Sequence, residues 1–481
     1  MQKTKLIDLF KALKTDELRE FAKFLDSPFY VKKAKKERIT RLFEYLKKNR
    51  SELNTKKLNR DYVFKKIFPK DEVFEDWKIR ELRSDLSKLI EEYFIVKEAS
   101  QNHIDRQMLL IKSFEKRQVD THFFRYARKM EKELNELELK NIEHYFALLQ
   151  LQHQLYYHPA TSKFDNKGSR QLLMGVIYST DMFYSLAKLR YGYEIAAWER
   201  IRGEKLEGFI SEKTIESLDK RTITTNPLLH IYWLFNKLYK SQEYNLYSEI
   251  KQLVLDKIEF FSDEEANDVL ALLINSLRLV FSGEEIFKEG LVLYKVALKY
   301  KIFINGDSFM IEHFNNIVSV GCGAGEYQWT QDFINKYYMY LPAEEDRKEN
   351  IAILYRANLS FLRQRYEDAE SVLYRLEFED VTYGVRHYIL LIKCLYELKR
   401  DELDDKYNAF SVYIFRKKRD YYISRDIHEG YDNFIKMVRQ IAGVRGIFKI
   451  SDAQKKELID RIKNVGIIVE KTWLIEKVNE L

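Results

Sequence analysis

Within Phe314–Phe415, the run Arg356-Ala357-Asn358, followed by Arg365-Tyr366-Glu367-Asp368-Ala369-Glu370-Ser371-Val372-Leu373, decides how the chain is read. Ala369, Val372, Leu373 and Leu376 recur at i, i+3, i+4 and i+7, the apolar stripe of a helix. The turn 365–369 separates this helix from an equally amphipathic one before it. The same layout stands on either side. Gly325-Glu326-Tyr327 precedes the stripe Thr330, Phe333, Ile334, Tyr337, and Lys399-Arg400-Asp401-Glu402-Leu403 leads into the looser Leu403, Tyr407, Phe410, Ile414. Three helix pairs therefore follow one another, offset by 39 and then 34 residues. Ser282-Gly283 and Gln242-Glu243-Tyr244 read as degenerate turns of two earlier pairs.

Composition agrees with a helical chain. Its 481 residues exceed a single core of roughly 250–300 residues, so several domains or an extended array are expected. Only five prolines and 16 glycines interrupt it, which leaves room for long helical runs. Cys322 and Cys394 lie in apolar helical pattern and read as small buried thiols in a reduced, cytoplasmic setting. The N-terminus has no unbroken apolar core of a signal peptide. The longest uncharged run, His144 to Ser162, is rich in His and Gln and does not read as a membrane span.

The net charge of +7 is unevenly placed. Residues 1–50 carry 15 Lys/Arg against seven Asp/Glu, a balance of +8, so residues 51–481 balance at −1. Along the chain, residues 1–98 read as a basic N-terminal helical unit and 99–230 as longer, aromatic-rich helices with a break near Asp120-Thr121. Residues 231–440 read as the helix pairs, best defined over 314–415, and 441–481 as a C-terminal capping helix. His158 to Arg170 and Thr222 to Pro227 read as connectors. Tyr178, Phe183, Tyr184, Tyr191, Tyr193 and Trp198 read as filler between helix layers. Ser262–Glu265 and Ser451–Gln454 have the spacing of capping boxes.

The central stretch resembles tetratricopeptide repeats, whose helix pairs recur at about 34 residues. Ala357, Tyr366 and Ala369 fall where that family places its small residues and its turn, Gly325 and Tyr327 repeat the turn, and Pro342 sits at the repeat-ending proline. Thr330 and Leu403 replace the family's alanine, and Arg356 a usual leucine. The chain as a whole is similar to uncharacterised bacterial helical-repeat proteins of this length, in phrases such as 24–29 (FLDSPF) and 376–381 (LEFEDV). The resemblance implies an all-α protein: a right-handed α-solenoid of stacked helix pairs, with the N-terminal unit attached. Family clamps for a chain-terminal carboxylate place Asn and Lys/Arg on successive first helices. Only Asn358 stands near such a position, and Ile389 to Ile392 in the next unit is apolar.

No phosphate-loop, His-Glu-x-x-His or Cys-x2-Cys motif occurs, and Gly321-Cys322-Gly323-Ala324-Gly325 reads as close helix packing. The expectation is a non-enzymatic scaffold or adaptor, without cofactor, that holds a protein or peptide partner along a concave surface. The alternative is nucleic-acid binding or regulation through polyanion contacts at Lys32, Lys33, Lys35, Lys36, Arg38, Arg41, Lys47 and Lys48, beside Phe29 and Tyr30. Arg416, Lys417, Lys418 and Arg419, beside Tyr421 and Tyr422, form a second basic cluster. A solvated basic face explains the same charges.

Overall fold

The computed structural model describes residues 4–50, 58–69, 73–161, 166–202, 218, 220–306, 308–343, 345–419, 425–445 and 450–481. Among these residues the chain is all-helical apart from a two-residue antiparallel pairing, β1 (Ile304–Asn305) with β2 (Ser308–Phe309). Two compact units result, Met1–Lys188 and Leu189–Leu481.

The first unit contains α1 (Lys5–Ala12), α2 (Glu17–Asp26), α3 (Lys33–Lys48), α4 (Arg60–Ile67), α5 (Asp76–Gln101), α6 (His103–Lys116), α7 (Asp120–Glu136) and α8 (Ile142–Tyr157). The start of α9 (Asn166–Arg202) also belongs to it. Helices α1 to α4 all pack on α5, because Ile79, Leu82, Leu86, Ile90 and Tyr93 form one buried stripe along it. Within this unit a hydrophobic cluster runs from Leu6 to Tyr93. At its centre Phe21 meets Phe43 at 5.1 Å and Tyr93 at 5.4 Å, edge to face.

Beyond it the structure corrects three details. Residues 103–157 form three helices and not two. The chain breaks once at Gln118, in left-handed conformation, and again before Asn141, whose side chain accepts from the His144 N–H at 2.8 Å and caps α8. The connectors are shorter than expected, since α9 already includes Asn166–Arg170 and a short helix, α10 (Lys220–Thr225), includes Thr222–Thr225. The aromatic filler is real only in part. Tyr193 is buried, but Tyr184, Tyr191 and Trp198 are about half exposed on the side of α9 turned away from its packed face, and Tyr178 is half exposed beside Tyr145 of α8.

The second unit continues with α11 (Pro227–Ser241), α12 (Tyr244–Lys257), α13 (Asp263–Val280), α14 (Glu284–Lys299), α15 (Ile311–Gly323) and α16 (Tyr327–Tyr337). Then come α17 (Glu345–Leu362), α18 (Tyr366–Leu373), α19 (Val381–Leu398), α20 (Leu403–Arg419) and α21 (Arg425–Val444). The C-terminal region is two helices and not one, α22 (Asp452–Asn464) and α23 (Lys471–Glu480). Val465 leaves helical geometry, and Glu470, at a φ of 55°, starts the new helix. Both capping boxes form, at Ser262–Glu265 and Ser451–Gln454.

From α10 to α21 each helix packs against the next. First helices of neighbouring pairs also touch: α11 with α13, α15 with α17, and α17 with α19. Each of the five pairs turns on one left-handed residue: Gln242, Gly283, Gly325, Gln364 and Lys399, with φ of 56°, 57°, 74°, 62° and 54°. In the last three, the N–H after the left-handed residue reaches back five residues: Glu326 to the Gly321 carbonyl at 3.0 Å, Arg365 to Ser360 at 2.9 Å and Arg400 to Leu395 at 3.0 Å. This closure satisfies the orphan carbonyls at the helix end. Gln118 makes the same turn in the first unit, with Val119 bonding to Phe114 at 3.0 Å.

Close approach within the pairs explains the small residues. Ala357 and Ala369 are fully buried, while Tyr327, Tyr366 and Leu403 are half-buried at the turns. Thr330 departs from alanine, and Gly321 compensates for it. A Cβ at Gly321 would collide with the Thr330 hydroxyl, which is itself satisfied by the Glu326 carbonyl at 2.8 Å. Gly323 likewise makes room for the Phe287 ring. The expected outcome for Gly321→Ala is a loss of about 1–3 kcal/mol in urea unfolding, the usual cost of an overpacked contact. Gly443→Ala, where an added Cβ meets nothing within 4 Å inside α21, is expected to be neutral or stabilising by up to about 1 kcal/mol.

Candidate binding cleft

Three successive first helices, α15, α17 and α19, open a cleft of about 310 Å³ in the second unit. Ser319 stands on α15, Tyr355 and Asn358 on α17, and Arg386 and Lys393 on α19, with Glu470 at one end. Arg386 and Lys393 are seven residues apart, two helical turns, so both reach the same face of α19.

The polar groups are ordered by a chain of hydrogen bonds. Arg386 donates from Nη1 to the Tyr355 hydroxyl at 2.5 Å, and Tyr355 donates to Asn315 Oδ1 at 2.6 Å. The Tyr383 hydroxyl donates to the same Asn315 oxygen at 3.2 Å. Burial raises the pKa of both phenols, so each remains a neutral donor. The guanidinium uses this one contact, and among the described residues no carboxylate pairs with it. Its remaining donors are uncommitted. Asn358 Nδ2 has only a weak acceptor, the Cys322 sulfur at 3.8 Å.

Lys393 differs. Its ammonium donates to Glu470 Oε2 at 2.7 Å and lies over the rings of Phe361, at 4.9 Å, and Trp473, at 5.5 Å. Helix α23 holds that end in place. Trp473 donates from its indole N–H to Glu397 at 3.3 Å, and Lys477 pairs with Glu397 at 2.8 Å in a nearly water-free setting. The cleft therefore contains two cations, one matched by a carboxylate of the chain itself and one unmatched.

Of the residues singled out by sequence, Asn358 and, from the apolar run, Ile389 and Leu390 line this site. Arg386 and Lys393 were hidden because the residues between them, Ile389 to Ile392, read as apolar; their seven-residue spacing was the available signal. The basic residues of α3 are largely engaged. Lys35 bridges Glu81 and Asp85, both at 2.7 Å, and Lys36 pairs with Asp26 at 3.1 Å. Arg41 pairs with Glu37 at 2.5 Å, Lys47 with Glu44 at 3.6 Å, and Arg38 lies over Phe68 at 5.5 Å. Lys32, Lys33 and Lys48 are exposed, with no ion-pair partner among the described residues. Phe29 is exposed, whereas Tyr30 stacks on Phe24 at 4.1 Å.

The second basic cluster closes α20. Arg416 is exposed, Lys417 lies over Tyr413 at 5.5 Å, Lys418 is half-buried and Arg419 is the last residue of the helix. Tyr421 and Tyr422 lie outside the described residues. The two clusters belong to different units.

No family model, no curated protein and no solved structure matches the chain. Among the described residues no group of three or more His, Cys, Asp or Glu side chains is placed to hold a metal ion, and no helix is long and apolar enough to cross a membrane.

Cys322, on α15 beside Asn358, and Cys394, on α19, have thiols pushed up to about 12 by burial. Both are neutral at pH 8, and the thiolate is the reactive form. The expected outcome is negligible alkylation by iodoacetamide at pH 8 in the native protein, under conditions that label both thiols in guanidinium. Rapid native labelling, read by mass spectrometry, would show that the helices around them open.

Proposed function

We propose that the chain is a non-enzymatic scaffold whose stacked helix pairs form a tetratricopeptide-like α-solenoid and hold a protein or peptide segment along the face of their first helices. The observation that carries this reading is the cleft across α15, α17 and α19. First helices of successive pairs touch, and each contributes polar side chains to one recess. A helix pair cannot bury its apolar face alone, so pairs that stack leave their first helices side by side as a continuous surface. The one-residue left-handed turn, repeated at five pairs, supports the same architecture.

The basic α3 face supports the nucleic-acid reading less, because most of its cations are matched by acids or rings of the same unit. Exposed pairs of this kind are worth little individually, yet they lower the free positive charge available to phosphates.

Affinity purification of the full chain, with and without nuclease, tests the proposal against both readings. Ser319 is exposed at the rim of the cleft, so Ser319→Trp fills the recess without entering the core. The expected outcome is a defined protein partner that survives nuclease treatment and is depleted at least tenfold with Ser319→Trp. A retained set that is lost on nuclease treatment and unchanged by Ser319→Trp would overturn the scaffold reading in favour of nucleic acid.

A further inference from the structure

The start of α9, in the first unit, turns one side to solvent in a pattern that has nothing to do with the cleft. We infer that residues 170–181 are a self-association surface on which two copies of the chain pair antiparallel, with Arg170 of each copy against Asp181 of the other.

The inner side of this stretch is fixed. A Cβ at Gly175 would collide with the Gln152 amide of α8, and the Ser179 hydroxyl donates to Gln152 Oε1 at 2.9 Å. Gln152 in turn donates to Glu131 of α7 at 3.1 Å, and Met182 is buried one turn further on. With Gly175, Ser179 and Met182 turned inward, helical geometry turns Leu173, Met174, Ile177 and Tyr178 outward, together with Arg170 and Asp181. All six are exposed, although the Tyr178 ring also borders Tyr145 at 6.3 Å.

The order of these residues is what selects a second copy as the occupant. Arg170, Met174, Ile177 and Asp181 are spaced by 4, 3 and 4 residues, the seam of a coiled coil, and Leu173 and Tyr178 flank that seam symmetrically. The spacing reads the same from either end, about a point between Gly175 and Val176, while the charges at the two ends are opposite. A two-fold axis at that point sets Met174 against Ile177 of the second copy, Leu173 against Tyr178, and Arg170 against Asp181 twice over. Parallel pairing would instead set like charges together. Among the described residues no ion-pair partner engages Arg170 or Asp181. The two stand roughly 17 Å apart along one helix, too far to meet within a chain.

The area sets the strength. The four apolar side chains expose between 41% and 61% of their surface. That is roughly 400 Å² per copy, about half of the ~800 Å² per partner in a standard interface, so the dimer is weak and reversible. Sedimentation velocity of the full chain at low salt tests it from about 1 μM to about 200 μM, the range in which so small an interface dissociates. The expected outcome is a concentration-dependent shift from monomer to dimer. Ile177→Glu, at a position outside the core, is expected to leave the chain monomeric throughout. Arg170→Glu and Asp181→Arg are each expected to weaken dimerisation at least about fivefold, since each replaces two opposite-charge contacts by two like-charge ones. The double variant R170E/D181R is expected to return to within about twofold of wild type. Misfolding cannot mimic that recovery, and parallel pairing cannot produce it.

A monomer at every concentration, or a dimer that Ile177→Glu leaves unchanged, would overturn the inference. So would a double variant that dimerises no better than either single one. A different protein that copurifies with a monomeric wild type and is lost with Ile177→Glu would give the face to another partner and overturn self-association. None of the three substituted positions lies in the cleft, so failure here leaves the scaffold reading untouched.

Discussion

A pair of short amphipathic helices has no interior of its own, and the second unit is organised by that constraint. From α10 to α21 each helix packs against the next, so an apolar stripe that one neighbour covers only in part is covered further by another helix. The turn that closes a pair has to reverse the chain within a few residues and still satisfy the last carbonyls. One left-handed residue with a five-residue backbone closure achieves both. Of the three pairs that close in this way, Gly325 fills that position in one, and Gln364 and Lys399 fill it in the others at a conformational cost of about 1–2 kcal/mol each. Packing between pairs evidently outweighs that cost.

The cleft lies where α15 touches α17 and α17 touches α19, and polar residues of the three helices converge there. What distinguishes this recess from an ordinary solvated face is its order. Asn315 accepts from two phenols, one of which accepts from Arg386, so a charged group is fixed by neutral partners. At the other end, α23 closes the unit through Trp473, Lys477 and Glu397. A buried ion pair of that kind stabilises mainly by requiring its partner, since either charge alone would be left desolvated.

Helical periodicity was legible because it depends on local spacing. The stripe at Thr330–Tyr337, both capping boxes and the inter-helix turns are all local signals, and the structure forms each of them; the stripe from Ala369 is helical only to Leu373, with Leu376 buried beyond the helix end. The break at Gln118 was placed late because a left-handed glutamine carries no compositional mark. The half-exposed Tyr184, Tyr191 and Trp198 were read as filler because aromatic content alone does not say which side of a helix is covered. The cleft was the least legible feature. Its polar network runs through Asn315, Tyr355 and Arg386, separated by 40 and 31 residues, and only packing between helices brings them together. The compensation between Gly321 and Thr330 is of the same kind: each residue departs from expectation, and the reason appears only when the two helices meet.

The central claim is that first helices, and not the basic α3 face, receive the partner. Hydrogen–deuterium exchange of the full chain, alone and with its purified partner, tests it most directly. Slower exchange is expected along 311–323, 345–362 and 381–398, with little change in 327–337, 366–373 and 403–419. Protection confined to those second helices, or to 33–48, would contradict the account.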